Sequence, residues 1–241
     1  MAFTGGAFYA MWNGMDPAHV PDFDLMHARN HMAGHVGYLG EGGILAARRH
    51  GGGVGVLPSF FTFYDMRALD VLTAPEYQDR RVAESAWFLR LRPHYRDHIR
   101  HHCRVVARRG GGVGGSVGTL LMRLRDDSET TRNAMRTFCD VVVERAAFTA
   151  AHFGIADPTV PTLVGGSPPP RKPEEEPVGI LVVESYDRHA LSQGLPWASE
   201  AVVERGIAAT LPRSAHYALS LALEFDELAA FAALDTPPAD A

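Results

Sequence analysis

The chain has 241 residues, with 23 Lys and Arg against 28 Asp and Glu, and its net charge of −5 excludes a nucleic-acid footprint built on a basic face. A hydrophobic content of 46% beside 21% charged residues excludes a disordered or fibrous chain and fits a globular protein with a buried core. Two cysteines, Cys103 and Cys139, are too few for a disulfide framework, and both are expected to be buried rather than nucleophilic. The opening stretch MAFTGGAFYAMWNG has neither a basic start nor a long apolar run, so no secretory leader and no membrane span is expected. The expected setting is the cytoplasm. The expected partner of the chain, as monomer or homodimer, is a small hydrophobic molecule rather than a nucleic acid or a membrane.

Residues 7–15 read as a strand, with Tyr9, Met11 and Asn13 on one face and Phe8, Ala10 and Trp12 on the other. A helix follows to about Val36, signposted by Asp16 as cap and Pro17 at its first position. Strand-like runs at 43–50 and 59–66 are separated by the glycines of 51–55, which read as a loose hairpin loop. A helical stretch carrying Trp87 leads to a strand at 101–108. The six residues 110–115 hold five glycines and read as a flexible joint. The order then restarts, with a strand at 116–125 and a helix at 128–145 capped by Ser128. Met135, Phe138, Cys139, Val142 and Val143 mark the buried stripe of that helix. Strands at 146–155 and 178–186, a helical stretch carrying Trp197 and a strand at 214–225 complete the set. The segment 157–177, rich in proline and glutamate, reads as an exposed insertion, and the tail after Leu234 is expected to fray.

The β-α-β-β-α-β order therefore occurs twice. The predicted class is α+β, with two ferredoxin-like βαββαβ repeats, 1–109 and 116–241, joined by 110–115 and forming an intrachain dimeric α+β barrel. Each repeat alone would leave one sheet face bare, and packing the two bare faces together solves that problem and is expected to leave a cavity between the sheets for the ligand.

The run YAMWNGMDPAHVPDFDLMHARNHMAGHVGYLGEGGILAARRH, with VLTAPEYQ further on, resembles the opening of dimeric α+β barrel proteins of the polyketide cyclase and antibiotic-biosynthesis monooxygenase type. The resemblance rests on Trp12-Asn13, Asp16-Pro17, Asn30-His31, Gly42-Gly43-Ile44 and Ala47-Arg48-Arg49-His50. It covers most of residues 7–107 and departs from the pattern where Asn30 stands for an acidic residue and His50 for a tyrosine. It implies a biosynthetic enzyme, cyclase or monooxygenase, acting on a small apolar aromatic or polyketide-like substrate. No cofactor is favoured, and haem with a histidine axial ligand is the alternative, as is a non-catalytic ligand-binding protein. It also implies that Asn13 and Trp87 face the pocket.

His27, His31 and His35 recur every four residues and form one helical stripe. Eight residues of helix rise about 12 Å, so the three cannot share one metal ion, and no metal site is expected. The plain alternative is one packed histidine and two solvated ones. The catalytic candidates are His31, His27, Asn13, Arg49 and Tyr64, with neutral His31 as the expected base, alone or with His27, and Arg49, Asn13 or Tyr64 facing the oxyanion. Trp87, Tyr9, Met11 and His35 are the substrate-binding candidates. His101 and His102 alternate, so at most one of them faces the same pocket. The pairs Arg48–Arg49 and Arg108–Arg109 read as solvated strand ends. Gly110, Gly112 and Gly115 match a dinucleotide-binding spacing, but a strand rather than a helix is expected after them, which removes the phosphate cradle.

Overall fold

The computed structural model describes residues 3–77, 85–160, 177–231 and 236. Eight strands alternate with helices in the expected order. They are β1 (Ala7–Met15), β2 (Ile44–Gly55), β3 (Phe60–Met66), β4 (Tyr95–Gly110), β5 (Ser116–Arg123), β6 (Ala150–Ala156), β7 (Val178–Ser185) and β8 (Arg213–Glu224). All neighbours pair antiparallel, and the strands close into a barrel in the order β1-β3-β2-β8-β5-β7-β6-β4. Read from β4, the first four strands run β4-β1-β3-β2 and the last four β8-β5-β7-β6, the same internal order. The β2/β8 and β4/β6 pairings join them, so no sheet edge is left open.

Helices cover the outside. After β1 come α1 (Val20–Met26), a π-helical turn (His27–His31) and α2 (Met32–His35). Asp16 accepts from the Ala18 N–H and Pro17 opens the helical segment, as the sequence indicates. Next is α3 (Ala86–Leu91), capped by Ser85, and in the other half α4 (Glu129–Val143), capped by Ser128, and α5 (Arg188–Glu204). The alternation of β1 sends Phe8, Ala10 and Trp12 into the barrel. There they pack with Phe61, Phe63, Val117, Ile180 and Tyr217, and Trp12 Nε1 donates to Thr119 Oγ1 at 3.2 Å.

Four expectations need correction or delimiting. The glycines of 51–55 are not a hairpin loop: they extend β2 and pair with β8, Gly51 opposite Ala218 and Gly55 opposite Ala215. Glycine is required there because β8 comes so close. A Cβ on Gly53 would lie 2.5 Å from the Tyr217 ring, and one on Gly55, at φ +139°, 2.3 Å from the Ser214 carbonyl oxygen. Arg48 and Arg49 are not solvated ends, since both are fully buried, on opposite faces of β2. Inside the barrel Arg48 donates to Glu184 at 2.7 Å, and Glu184 also bonds His152 at 3.0 Å and the Gly114 N–H at 2.8 Å. Arg108 likewise pairs with buried Asp65 at 2.7 Å, which accepts from the N–H groups of Thr4 and Gly5. The N-terminal segment is thereby tied across this end of the barrel, with Phe3 stacked under Arg48 at 3.9 Å. The strand expected at 146–155 begins at Ala150, because 145–148 form a turn closed by Phe148 N–H to Arg145 carbonyl. Most of the insertion at 157–177, and the tail after Leu234 apart from Thr236, lie outside the described residues.

Candidate active site

The outer face of β1–β4 is polar, although helices cover it. Alternation puts Tyr9, Met11 and Asn13 of β1 on this face. Pairing aligns them with their neighbours: Tyr64 of β3 and His102 of β4 lie opposite Tyr9, and Thr62 of β3 and Arg100 of β4 lie opposite Met11. Arg49 of β2 is opposite Thr62. One row across the sheet therefore reads Arg49, Thr62, Met11, Arg100, and the next reads Ala47, Tyr64, Tyr9, His102. Tyr9 stacks on Tyr64 at 5.6 Å between centroids and meets the His102 ring at 4.6 Å.

The helical segment above supplies the histidines. His27, His31 and His35 stand in one stripe, with ring centroids 4.7 and 4.5 Å apart. The π turn spans His27 to His31, a local widening frequent at functional sites. His27 is fully buried between Phe23 and Tyr95, and its Nε2 shares a 3.1 Å hydrogen bond with the Tyr95 hydroxyl. His31 lies flat on Phe88 at 4.9 Å, and His35 meets Tyr64 at 5.5 Å. Trp87 of α3 is buried with Met15, Phe23, Met26, Phe60 and Leu91, and its indole N–H donates to Asp22 at 2.8 Å. All nine residues singled out in the sequence, His31, His27, Asn13, Arg49, Tyr64, Trp87, Tyr9, Met11 and His35, thus lie in or around one helix–sheet layer.

Burial sets the electrostatics. Desolvation, with the Arg49 charge next and the two neighbouring histidines behind it, holds His27 well below the ordinary imidazole value, so it is neutral near pH 7. Burial also lowers Arg49, against the opposing pull of Asp24, which accepts from it at 2.7 Å. The guanidinium keeps its charge and packs over Phe23 and Phe60 at 4.3 and 4.6 Å. Tyr64 is raised well above its usual range by burial and by the other tyrosines, so its hydroxyl stays a donor. His98 of β4 is lowered to about 4 by burial and by Arg100.

Among the described residues, several polar atoms of these groups have no hydrogen-bond partner. Buried atoms with no hydrogen-bond partner include Asn13 Oδ1, His27 Nδ1, Arg49 Nε and Nη1, Thr62 Oγ1, Tyr64 OH, His98 Nε2 and Arg100 Nε. Buried polar atoms in folded proteins nearly always have partners, so a set of orphans in one layer points to a ligand or ordered water that completes them. The matching layer of the other half, between α4, α5 and β5–β8, is packed instead with Leu120, Met135, Phe138, Phe153, Leu195 and Val202. Further orphaned atoms among the described residues include Thr149 Oγ1, next to Phe148 of that cluster, and the Nδ1 atoms of His50 and His152.

The orientation of Asn13 is informative. Its Nδ2 donates to the Gly14 carbonyl at 3.0 Å, which leaves one amide N–H and the buried Oδ1 to meet a ligand. Arg49, Tyr64 and Thr62 present further polar atoms on this face that could donate hydrogen bonds. Sequence reasoning missed Thr62, Tyr95 and Arg100. Thr62 was legible as the residue two before Tyr64 on one strand. Tyr95 and Arg100 were not, because β4 starts six residues earlier than its apolar run and is bulged, with Asp97 at φ +49° and a register shift opposite Trp12 and Gly14. Among the described residues no group of three His, Cys, Asp or Glu side chains is placed to hold a metal. Cys103 and Cys139 are buried, and burial raises both thiols, Cys139 to about 12, so neither is a ready nucleophile. No described helix is long and apolar enough to cross a membrane. The spacing at Gly110, Gly112 and Gly115 leads into β5, not into a helix.

No protein-family model matches the chain, and no curated protein matches it. Solved structures do. An anthrone oxidase-like protein superposes with a TM-score of 0.60 at 13% identity, covering 95% of this chain and 97% of that one. A "putative monooxygenase" of Lactobacillus acidophilus NCFM gives 0.57 at 10% identity, covering 91% and 96%. A "putative chlorite dismutase", TA0507, gives 0.51 at 9%, covering 95% and 99%. At these identities the likeness is one of fold, and it runs along the whole chain. The eight-stranded closed antiparallel barrel with helices outside is the fold that this chain shares with them.

Proposed function

We propose that the layer between α1–α3 and β1–β4 is the active site of an enzyme that needs no cofactor and oxygenates a small, largely apolar aromatic or polyketide-like molecule. In this reading the chain is a tandem of two ferredoxin-like repeats, 1–109 and 116–241, joined by 110–115, of which only the first carries chemistry. The observation that carries it is the contrast between the orphaned polar set in one layer and the apolar filling of the other. The names of the two structural neighbours with the highest TM-scores given above favour oxygenation over cyclisation with loss of water, which the same residues could also serve.

Neutral His27 accepts a proton at Nδ1 from an acidic carbon or phenol, with Nε2 steadied by Tyr95. Its own lowered basicity is offset as the oxyanion forms beside it, since a nearby negative charge favours the imidazolium. Arg49, Tyr64 and Thr62 donate to that oxyanion, and Asn13 Oδ1 accepts from a hydroxyl of the ring system. Trp87, Tyr9 and Met11 supply apolar surface. His31 and His35 stand on the same stripe as further proton carriers, His31 one turn beyond the base. A methylene flanked by aromatic rings and molecular oxygen would give a ketone and water, which balances without a further reductant.

Haem fits these residues poorly. Its face needs an apolar slot and an imidazole nitrogen directed at the iron. The sheet here presents Arg49, Thr62, Tyr64 and Asn13, and His27 Nε2 is already bonded to Tyr95. The test is oxygen uptake by metal-free, cofactor-free protein with 1,8-dihydroxyanthrone as the probe. One oxygen consumed per anthrone above the spontaneous rate, in protein with no Soret absorption, is the expected result. Activity only after adding haem would overturn the reading.

A further inference from the structure

We infer that the same layer holds an acid-binding subsite centred on Arg100, and that the aromatic ligand it takes bears a carboxylate. This rests on the layer being the active site, and it adds a chemical class that the oxygenation reading does not require.

The charges on this face do not balance. Arg49 is paired with Asp24 at 2.7 Å. Asp22, the other carboxylate of α1, is taken by the Trp87 indole at 2.8 Å and by Arg90 at 2.7 Å. Arg100 projects from β4 on the same face, opposite Met11. Among the described residues it has no carboxylate partner, although it is only partly exposed and its Nε is buried without an acceptor. A guanidinium partly withdrawn from water, with its Nε buried and no anion beside it, is a ready partner for a bound anion. His98 adds a buried, unpartnered Nε2 on the same side of β4 and, being neutral, no competing charge.

Among the described residues Arg100 is a positive charge with no carboxylate beside it, which suits a monoanion, and the planar fork of arginine suits the two oxygens of a carboxylate. The row Arg49, Thr62, Met11, Arg100 then reads along the ligand. Arg49 and Thr62 meet the reacting oxygen, Met11 lies under the ring, and Arg100 holds the acid at the far end.

The experiment is calorimetric titration of the full chain with 6-hydroxy-2-naphthoate, whose hydroxyl and carboxylate lie at opposite ends of the ring system, with 2-naphthol and with inorganic phosphate, repeated on Arg100→Gln. The expected result is that the hydroxynaphthoate binds at least tenfold more tightly than naphthol, and phosphate weakly. Arg100→Gln should remove this advantage while leaving naphthol affinity unchanged. Naphthol and hydroxynaphthoate binding alike to the unaltered protein would overturn the subsite but leave the aromatic site standing. Equal loss of both in a folded Arg100→Gln protein would overturn it too, by showing a structural role. Binding of neither would count against both readings.

Discussion

His27 is the side chain whose surroundings differ most from those of an ordinary surface histidine. It is sealed from water, bonded through one nitrogen and unpartnered at the other among the described residues, and kept neutral by burial and by Arg49. Replacing it with alanine should lower turnover about a hundredfold or more, the usual scale for loss of a general base. His35→Ala should matter less, because that ring lies two turns along, against Tyr64 and Tyr77. His31→Ala separates two roles. A fall matching that of His27→Ala makes His31 the base, and a small fall makes it a proton carrier. Oxygen uptake with the anthrone probe measures all three, with the thermal midpoint of each variant as control. Tyr64→Phe should reduce turnover and leave that midpoint nearly unchanged, since its hydroxyl has no partner to lose.

The seam between β2 and β8 shows at the scale of elements what glycine allows. Gly55→Ala would place a methyl against the Ser214 carbonyl in a left-handed conformation, and Gly53→Ala would place one against Tyr217. Each should cost about 1–3 kcal/mol of stability, read from urea unfolding. In the joint between the halves no neighbour lies within 4 Å of a Cβ on Gly112 or Gly115, so changing both to alanine should leave naphthol affinity unaltered, with some loss of stability from Gly112, whose φ is +84°. The contrast also explains what could be read from sequence. Strand order followed from the period-two runs, and the sharing of one face by Tyr9, Met11 and Asn13 from alternation alone. The glycines of 51–55 misled because composition records flexibility and not the close approach of a partner strand. Arg48 and Arg49 misled for a similar reason. Alternation places them on opposite faces of β2, but only the closed barrel and the covering helix show that both faces are buried. The π turn at His27–His31 left no signature in the spacing, which reads as an ordinary helix.

At the scale of the whole molecule, buried histidines and a buried ion network make acid the weakness of the fold. Burial lowers His27 well below 6.5, His50 to about 3, His98 to about 4, and His152 as well. The unfolded chain binds these protons at ordinary values, so it holds more of them than the folded state below about pH 6.5, and stability rises with pH in that window. Cooling this into a measurement, the thermal midpoint should fall steadily as pH drops from about 6.5, before carboxylate titration sets in. Burial alone would raise Glu184, but His152, Arg48 and the Gly114 N–H together hold it below its usual value, so its contribution is lost only at lower pH. Glu184→Gln leaves Arg48 without its anion inside the barrel and should cost about 3–5 kcal/mol, the range for breaking a buried pair. The central claim, that the β1–β4 half alone holds the working site, is tested most directly by mapping 1-naphthol binding through NMR shift changes on labelled protein. The predicted result is changes confined to Tyr9, Asn13, His27, Arg49, Thr62, Tyr64 and Trp87. Changes centred instead on Phe138, Leu195 and Trp197 would contradict it.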